Sequence, residues 1–204
     1  MLAPFATGHG FRRGGTLRIG TALVLVLITL LTGCRRREKE VAEALALARL
    51  LRRLTPEATD LLHQEQASAN ELRINLDESG ANDFSSFRES LNKSVATLIS
   101  VRDRRLELQR LVHQGNYDTP LVIVVQRDAV QEFENQITRT QTWIQLAQNV
   151  RLRADLGRMK GFPEVQVLTH QLLLFLGEAQ DEPLSDQIQT LKNEYRFTDS
   201  QIGT

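Results

Sequence analysis

The chain has 204 residues, with 25 basic and 25 acidic side chains, 41% hydrophobic residues and one cysteine. Balanced charge excludes a protein that holds nucleic acid by bulk electrostatic attraction, and a single cysteine excludes an intramolecular disulfide framework. Length and apolar content suit one domain that buries its core by packing alone.

The N-terminus comes first. Residues 1–33 contain no Asp or Glu but carry Arg12, Arg13 and Arg18. An apolar run of 13 residues follows, from Ile19 to Leu31, where a bilayer span takes ~20. A basic stretch followed by a short apolar one is the organisation of an export signal. The run ends in Leu31-Thr32-Gly33-Cys34: an aliphatic residue, a small one, Gly, then Cys. This segment resembles the lipobox of bacterial lipoproteins. The resemblance implies cleavage between Gly33 and Cys34, diacylglycerol on the Cys34 thiol, an acylated Cys34 amine, and membrane lipid as a partner. Two or three chains anchor stably, because each buried methylene contributes ~0.8 kcal/mol. It also implies an envelope protein facing the periplasm. Position 35 is Arg rather than Asp, so the inner-membrane retention signal is missing, which favours the outer membrane in a Gram-negative host.

Arg35-Arg36-Arg37 follow Cys34 with no Ser/Gly tether. Each Arg beside an anionic leaflet adds ~1 kcal/mol of attraction, so residues 34–37 read as a lipidated, basic segment at the membrane surface. The same arginines would also flank an uncleaved anchor as a stop-transfer signal. For that alternative, Ile19 to Gly33 supplies ~23 Å of helix against a hydrocarbon core of ~30 Å. Length therefore favours cleavage. Without residues 1–33 the chain has 22 basic and 25 acidic residues, a formal charge of −3.

Residues 38–196 read as helical throughout. A first helix is expected from about Glu38 to Leu54, with Val41, Leu45, Ala48 and Leu51 on one face. Thr55-Pro56 reads as an N-cap and first helical position, opening a second helix to about Leu76 whose middle, Gln64 to Asn70, looks exposed. Residues 77–82 form a loop by composition. The clearest seam follows: Phe84, Phe87, Leu91, Leu98, Val101, Leu108 and Val112, spaced by threes and fours and interrupted by Ser94 and Arg105. Gly115 marks the main turn, and Thr119-Pro120 starts a long helix expected to reach Met159, ~60 Å. Its stripe is Val130, Phe133, Ile137, Ile144, Ala147 and Ala154, with Trp143 and Val150 beside it. Another helix, Pro163 to Leu176, is apolar nearly all round and is expected to be the most buried. A last helix spans about Ser185 to Tyr195, and residues 197–204 read as a loose tail.

Candidate chemistry is sparse. His63, His113 and His170 lack neighbours at metal-ligand spacing, and there is no Gly-rich phosphate loop or nucleophile motif. We therefore expect no metal, no cofactor and no enzymatic activity. Asp103 and Glu107 among Arg102, Arg104, Arg105 and Arg110 read as a charged helix face with i,i+4 pairs, or more sharply as a site for an anionic partner. Gln131 to Asn149, rich in amides, reads as an exposed flank or as a contact with another protein. The expected fold is all-α, a largely antiparallel bundle of four to five helices. The expected role is an interaction or scaffold protein of the envelope, partnered by another envelope protein. The alternative is a module that binds a ligand between its helices.

Overall fold

A computed structural model gives the fold. It describes the backbone of residues 15–78, 85–155, 167, 170 and 182–203, and the side chains of those from 34–74, 88–152, 167, 170 and 182–203. Five helices are present among the described residues: α1 Gly15–Glu78, α2 Ser85–His113, α3 Pro120–Asp155, α4 Ser185–Tyr195 and α5 Asp199–Ile202. No strand occurs among them. The chain divides into two units, residues 1–42 and 43–204.

The second unit is a helical bundle built on a seven-residue repeat. In α1 the positions Ala44, Leu51, Ala58, Glu65 and Leu72 recur every seven residues and are all buried. Leu47, Leu54, Leu61 and Ser68 form a parallel buried row, and Ala48, Thr55, Leu62 and Ala69 a third. In α2 the row is Leu91, Leu98, Arg105 and Val112, and in α3 it includes Phe133, Thr140 and Ala147. A strict heptad keeps one stripe facing the neighbours, as in coiled coils. Each buried Leu or Val on these rows contributes ~1.5–3 kcal/mol.

The cross-helix bonds give the directions. Glu43 meets Asp118 and Thr119, and Glu65 meets Arg139 and Thr140, so α1 and α3 run parallel in a constant register. Lys93 meets Glu71, and Arg104 meets Glu57, so α2 runs antiparallel to α1. At one end, Leu72, Leu91, Leu98, Trp143, Ile144 and Val150 pack as one core cluster. At the other, the α2–α3 turn is tied down by Gln126, whose Nε2 donates to the carbonyls of Val112 and Gly115 at 2.7 and 2.8 Å. At Gly115 a Cβ would stand 2.5 Å from the Tyr117 ring, so a larger residue there would displace the far end of that side chain.

Several expectations change. Residues 38–76 are not two helices but part of one, and Pro56 lies inside it. Pro lacks the N–H that would bond to the Arg52 carbonyl. Pro56 is exposed, so that carbonyl is freed toward water and not into the core. The inner face of α1 is Ala44, Leu47, Ala48 and Leu51, while Val41 and Leu45 are half-buried. Within Gln64 to Asn70, Glu65, Ser68 and Ala69 are buried. The run from Leu121 to Val125 is helical, as expected, and α4 has the expected bounds. In α3, Val130 and Ile137 are half-buried while Phe133, Ile144 and Ala147 line the core.

Residues 197–204 were expected to be loose, but α5 forms there and buries Phe197 and Ile202. Gln201 Oε1 accepts the Thr198 N–H at 2.8 Å, and Arg49 Nε donates to the Gln201 carbonyl at 2.8 Å. Of the expected Pro163–Leu176 helix, Val167 and His170 are described, and both are helical and exposed. The rest of that helix, the side chains of Phe84, Phe87 and Ala154, and Met159 lie outside the described residues.

Candidate functional site

Three features of the chain carry functional weight. They are the segment at Cys34, a buried ionic layer between α1, α2 and α3, and the carboxylates that hold the helix starts.

The first lies in the N-terminal unit. Cys34 carries a free, exposed thiol. Arg35, Arg36 and Arg37 are exposed as well, and Arg36 Nε lies 3.3 Å from Glu40 Oε1, an i,i+4 pair. The backbone is helical through Gly33 and Cys34. The side chains of Leu31, Thr32 and Gly33, like those of the apolar run before them, lie outside the described residues. An exposed thiol followed by three exposed guanidiniums can be acylated to a thioester or alkylated to a thioether, and the guanidiniums can present cations to anionic headgroups. Among the described residues no helix is long and apolar enough to cross a membrane.

The second feature is one that hydropathy alone hides. Glu65 and Arg105 occupy core positions of the heptads of α1 and α2, with side chains 2% and 0% exposed. Arg105 Nη2 donates to Glu65 Oε2 at 2.9 Å, and Arg139 Nη2 donates to the same oxygen at 3.2 Å. Glu65 Oε1 accepts from the Thr140 hydroxyl at 2.8 Å, and Arg105 Nη1 donates to Thr140 Oγ1 at 2.5 Å. Three helices thus meet at one carboxylate. A buried carboxylate needs this much compensation, because desolvation costs several kcal/mol per ion. Beside it, Ser68, Ser94, Leu98 and Trp143 line a hollow of about 10 Å³, the size of about one water molecule. Glu65 is shielded from bulk solvent and held by two guanidiniums. Its geometry therefore ties α1, α2 and α3 together at one level.

The third feature is a pair of carboxylates that cap helices from a distance. One Glu43 oxygen accepts the N–H groups of Asp118 and Thr119 at 3.0 and 2.9 Å, at the start of α3. That is where unsatisfied donors and the positive end of the helix dipole favour an anion. Burial, then the Glu43 charge, push the Tyr117 hydroxyl above its usual range. Glu132 Oε1 accepts the Leu184 N–H at 3.2 Å just before α4. Leu184 has a positive φ of 65° and is 1% exposed, so its burial and this bond offset a backbone conformation that costs ~1–2 kcal/mol. Burial pushes the Glu132 carboxyl above its ordinary value, against the pull of the Leu184 N–H and the Gln187 side chain.

The remaining candidates from the sequence scatter. His63, His113 and His170 are all exposed, and among the described residues no group of His, Cys, Asp or Glu is placed to hold a metal ion. The charged stretch of α2 does not act as one face. Arg102 pairs with Asp103 and bonds to Gln141, Arg104 reaches Glu57 and Glu107, and Arg105 turns into the core. The two carboxylates hold the Arg104 guanidinium above its ordinary value. From Gln131 to Asn149 the amides are exposed or half-buried, and the buried Thr140 is the residue that hydropathy overlooks.

No family model, curated protein or solved structure matches the chain. Function therefore rests on the residues themselves.

Proposed function

We propose that this chain is a lipid-anchored protein of the bacterial envelope, attached through Cys34, whose helical bundle serves as an interaction or scaffold element for another envelope protein. The observation that carries the reading is Leu31-Thr32-Gly33-Cys34 at the end of a 13-residue apolar run behind three arginines and no acids. The exposure of the Cys34 thiol and of Arg35 to Arg37 supports it. At Trp143 the bundle core leaves a hollow for one water and not for an organic ligand, which favours the scaffold role over a ligand held at that place. Metabolic labelling with a clickable fatty acid tests the anchor. Wild-type protein should take up label and run shorter by the signal segment, and Cys34→Ala should stay unlabelled and full length. Unlabelled, full-length wild type would overturn the reading. The scaffold half predicts a stoichiometric partner in gently solubilised membranes.

One observation favours a second reading. The backbone of α1 is helical across the Gly33–Cys34 peptide, and Arg35 to Arg37 suit a stop-transfer flank. In this reading the segment stays uncleaved as an anchor. Its mark in the same experiment is a full-length protein in the membrane fraction.

A further inference from the structure

The bundle holds a second cationic feature, which begins twelve residues beyond Arg37. Arg49, Arg52 and Arg53 are spaced by three and four residues, share one face of α1 and are all exposed. They line one side of an open cleft whose other side is formed by α4 and α5. Two adjoining hollows of about 150 and 430 Å³ make up this cleft, and both include Arg52, Glu182 and Ile202. Lys192 adds a fourth cation. Opposing them are two carboxylates. Asp199 is engaged by Lys192 at 2.7 Å, while Glu182 lies 3.9 Å from Arg52, the two side chains being 55% and 46% exposed. Arg49 gives its Nε to the Gln201 carbonyl. Four cations thus face two carboxylates, one of them at the limit of ion-pair distance, in a chain whose formal net charge is zero.

We propose that this cleft docks an acidic segment of a partner protein, with Arg52 and Arg53 taking its Asp or Glu side chains and Ile188 and Ile202 receiving their aliphatic stems. Guanidinium forks match carboxylates in paired hydrogen bonds. The cations are spread along more than a turn of α1 and across to Lys192, which suits a chain bearing several carboxylates over a single small oxyanion. The site is concave, with an apolar contribution to its floor, and a flat bilayer surface cannot enter it. Glu182 is the internal competitor that an incoming carboxylate displaces, since a half-exposed pair at 3.9 Å contributes little. The inference does not depend on lipid at Cys34, and the fatty-acid labelling is independent of it.

The test is binding of a fluorescein-labelled polyglutamate peptide to the full chain in zwitterionic detergent, read by fluorescence anisotropy at low ionic strength. Arg52→Glu with Arg53→Glu should weaken binding at least about tenfold, the scale on which charge contacts at an interface act. Arg127→Glu with Arg151→Glu, an equal change of charge at exposed positions of α3 outside the cleft, should cost less than about twofold. Glu182→Gln should strengthen binding by about threefold, a gain that unfolding cannot mimic. An unchanged affinity in the first double variant, or equal losses in both, overturns the proposal. So does a loss confined to binding of phosphatidylglycerol vesicles, which would assign the cleft to the membrane.

Discussion

Arg105 Nη2 sits 2.9 Å from Glu65 Oε2, with both side chains shut away from solvent, and this pair occupies heptad positions that elsewhere hold Leu, Val or Ala. Removing one partner leaves the other charge buried. We expect Arg105→Met to destabilise the bundle by about 3–5 kcal/mol. Arg139 and Thr140 still contact Glu65 in that variant, so the lower end of the range is expected. Adding Glu65→Leu should restore much of the loss, because residues in one network do not add. Urea unfolding of the single and double variants gives the coupling. Additive losses would mean that the pair is not a unit.

The same layer shows what was legible in the sequence. The spacing of Leu91, Leu98 and Val112 placed α2, and Phe133, Ile144 and Ala147 placed α3, because apolar periodicity reports burial directly. Arg105 looked like an interruption and Glu65 like part of an exposed stretch. Hydropathy ranks a residue by its own transfer cost and is blind to a partner on another helix. Heptad counting from Leu51 and Ala58 to Glu65, and from Leu98 to Arg105, carries the missing signal. Pro56 misled for a similar reason. A Pro ends a helix where the freed carbonyl is buried, but on the solvent side of a helix held by Leu54, Thr55 and Ala58 it is tolerated. The Thr198-x-x-Gln201 spacing is a helix-start signature carried by the sequence, and it outweighs the polar composition that reads as a loose tail. The role of Glu43 was not readable, since it depends on the turn at Asp118 lying against α1.

Glu43 offers the next prediction. Its carboxylate satisfies the N–H groups of Asp118 and Thr119, just before Pro120 opens α3, a role that the N3 side chain of the same helix fills in a capping box. Glu43→Ala should cost about 1–2 kcal/mol, the scale of a lost cap. Glu43→Gln keeps an acceptor oxygen but loses the charge that favours the dipole, so its cost should be smaller, about 0.3–1 kcal/mol. Thermal unfolding of the two variants side by side checks the order, and a Gln variant as weak as Ala would refute the capping role.

Glu132 and Asp199 should tilt the pH profile in opposite directions. Burial raises the Glu132 carboxyl. Its neutral form is therefore favoured in the fold. That contribution is complete below the ordinary carboxylate range and fades as pH rises through the raised value. Asp199 is lowered, first by its hydrogen bond to Lys192 and then by that charge. Its contribution is present above the ordinary carboxylate range and is lost as pH falls through the lowered value. Glu132→Gln should thus flatten the part of the profile just above the ordinary range and leave stability at neutral pH equal or higher. Asp199→Asn should flatten the acid limb. Melting temperatures measured across the acid-to-neutral range for the two variants separate the effects, and slopes of the same sign would contradict them.

Arg196 is the position where a substitution should stabilise. It closes α4 in the left-handed conformation, φ 55° and ψ 40°, with its N–H donated to the Lys192 carbonyl. For an L-residue with a Cβ this conformation costs ~1–2 kcal/mol, and Gly is the residue that helices commonly use there. The Arg196 side chain is exposed, so little packing is lost on its removal. Gly also gains entropy in the unfolded chain, which offsets part of the relief. The net expectation for Arg196→Gly is a gain of about 0.5–1 kcal/mol, and for Arg196→Asn a smaller one, since Asn also visits this region. Because Phe197 follows directly, stacks on Tyr195 with ring centroids 5.7 Å apart and is buried, a wrongly placed turn would show as a loss. Denaturant midpoints decide it: a destabilised Gly variant would mean that the Arg196 side chain, and not its backbone, holds α5 against the bundle.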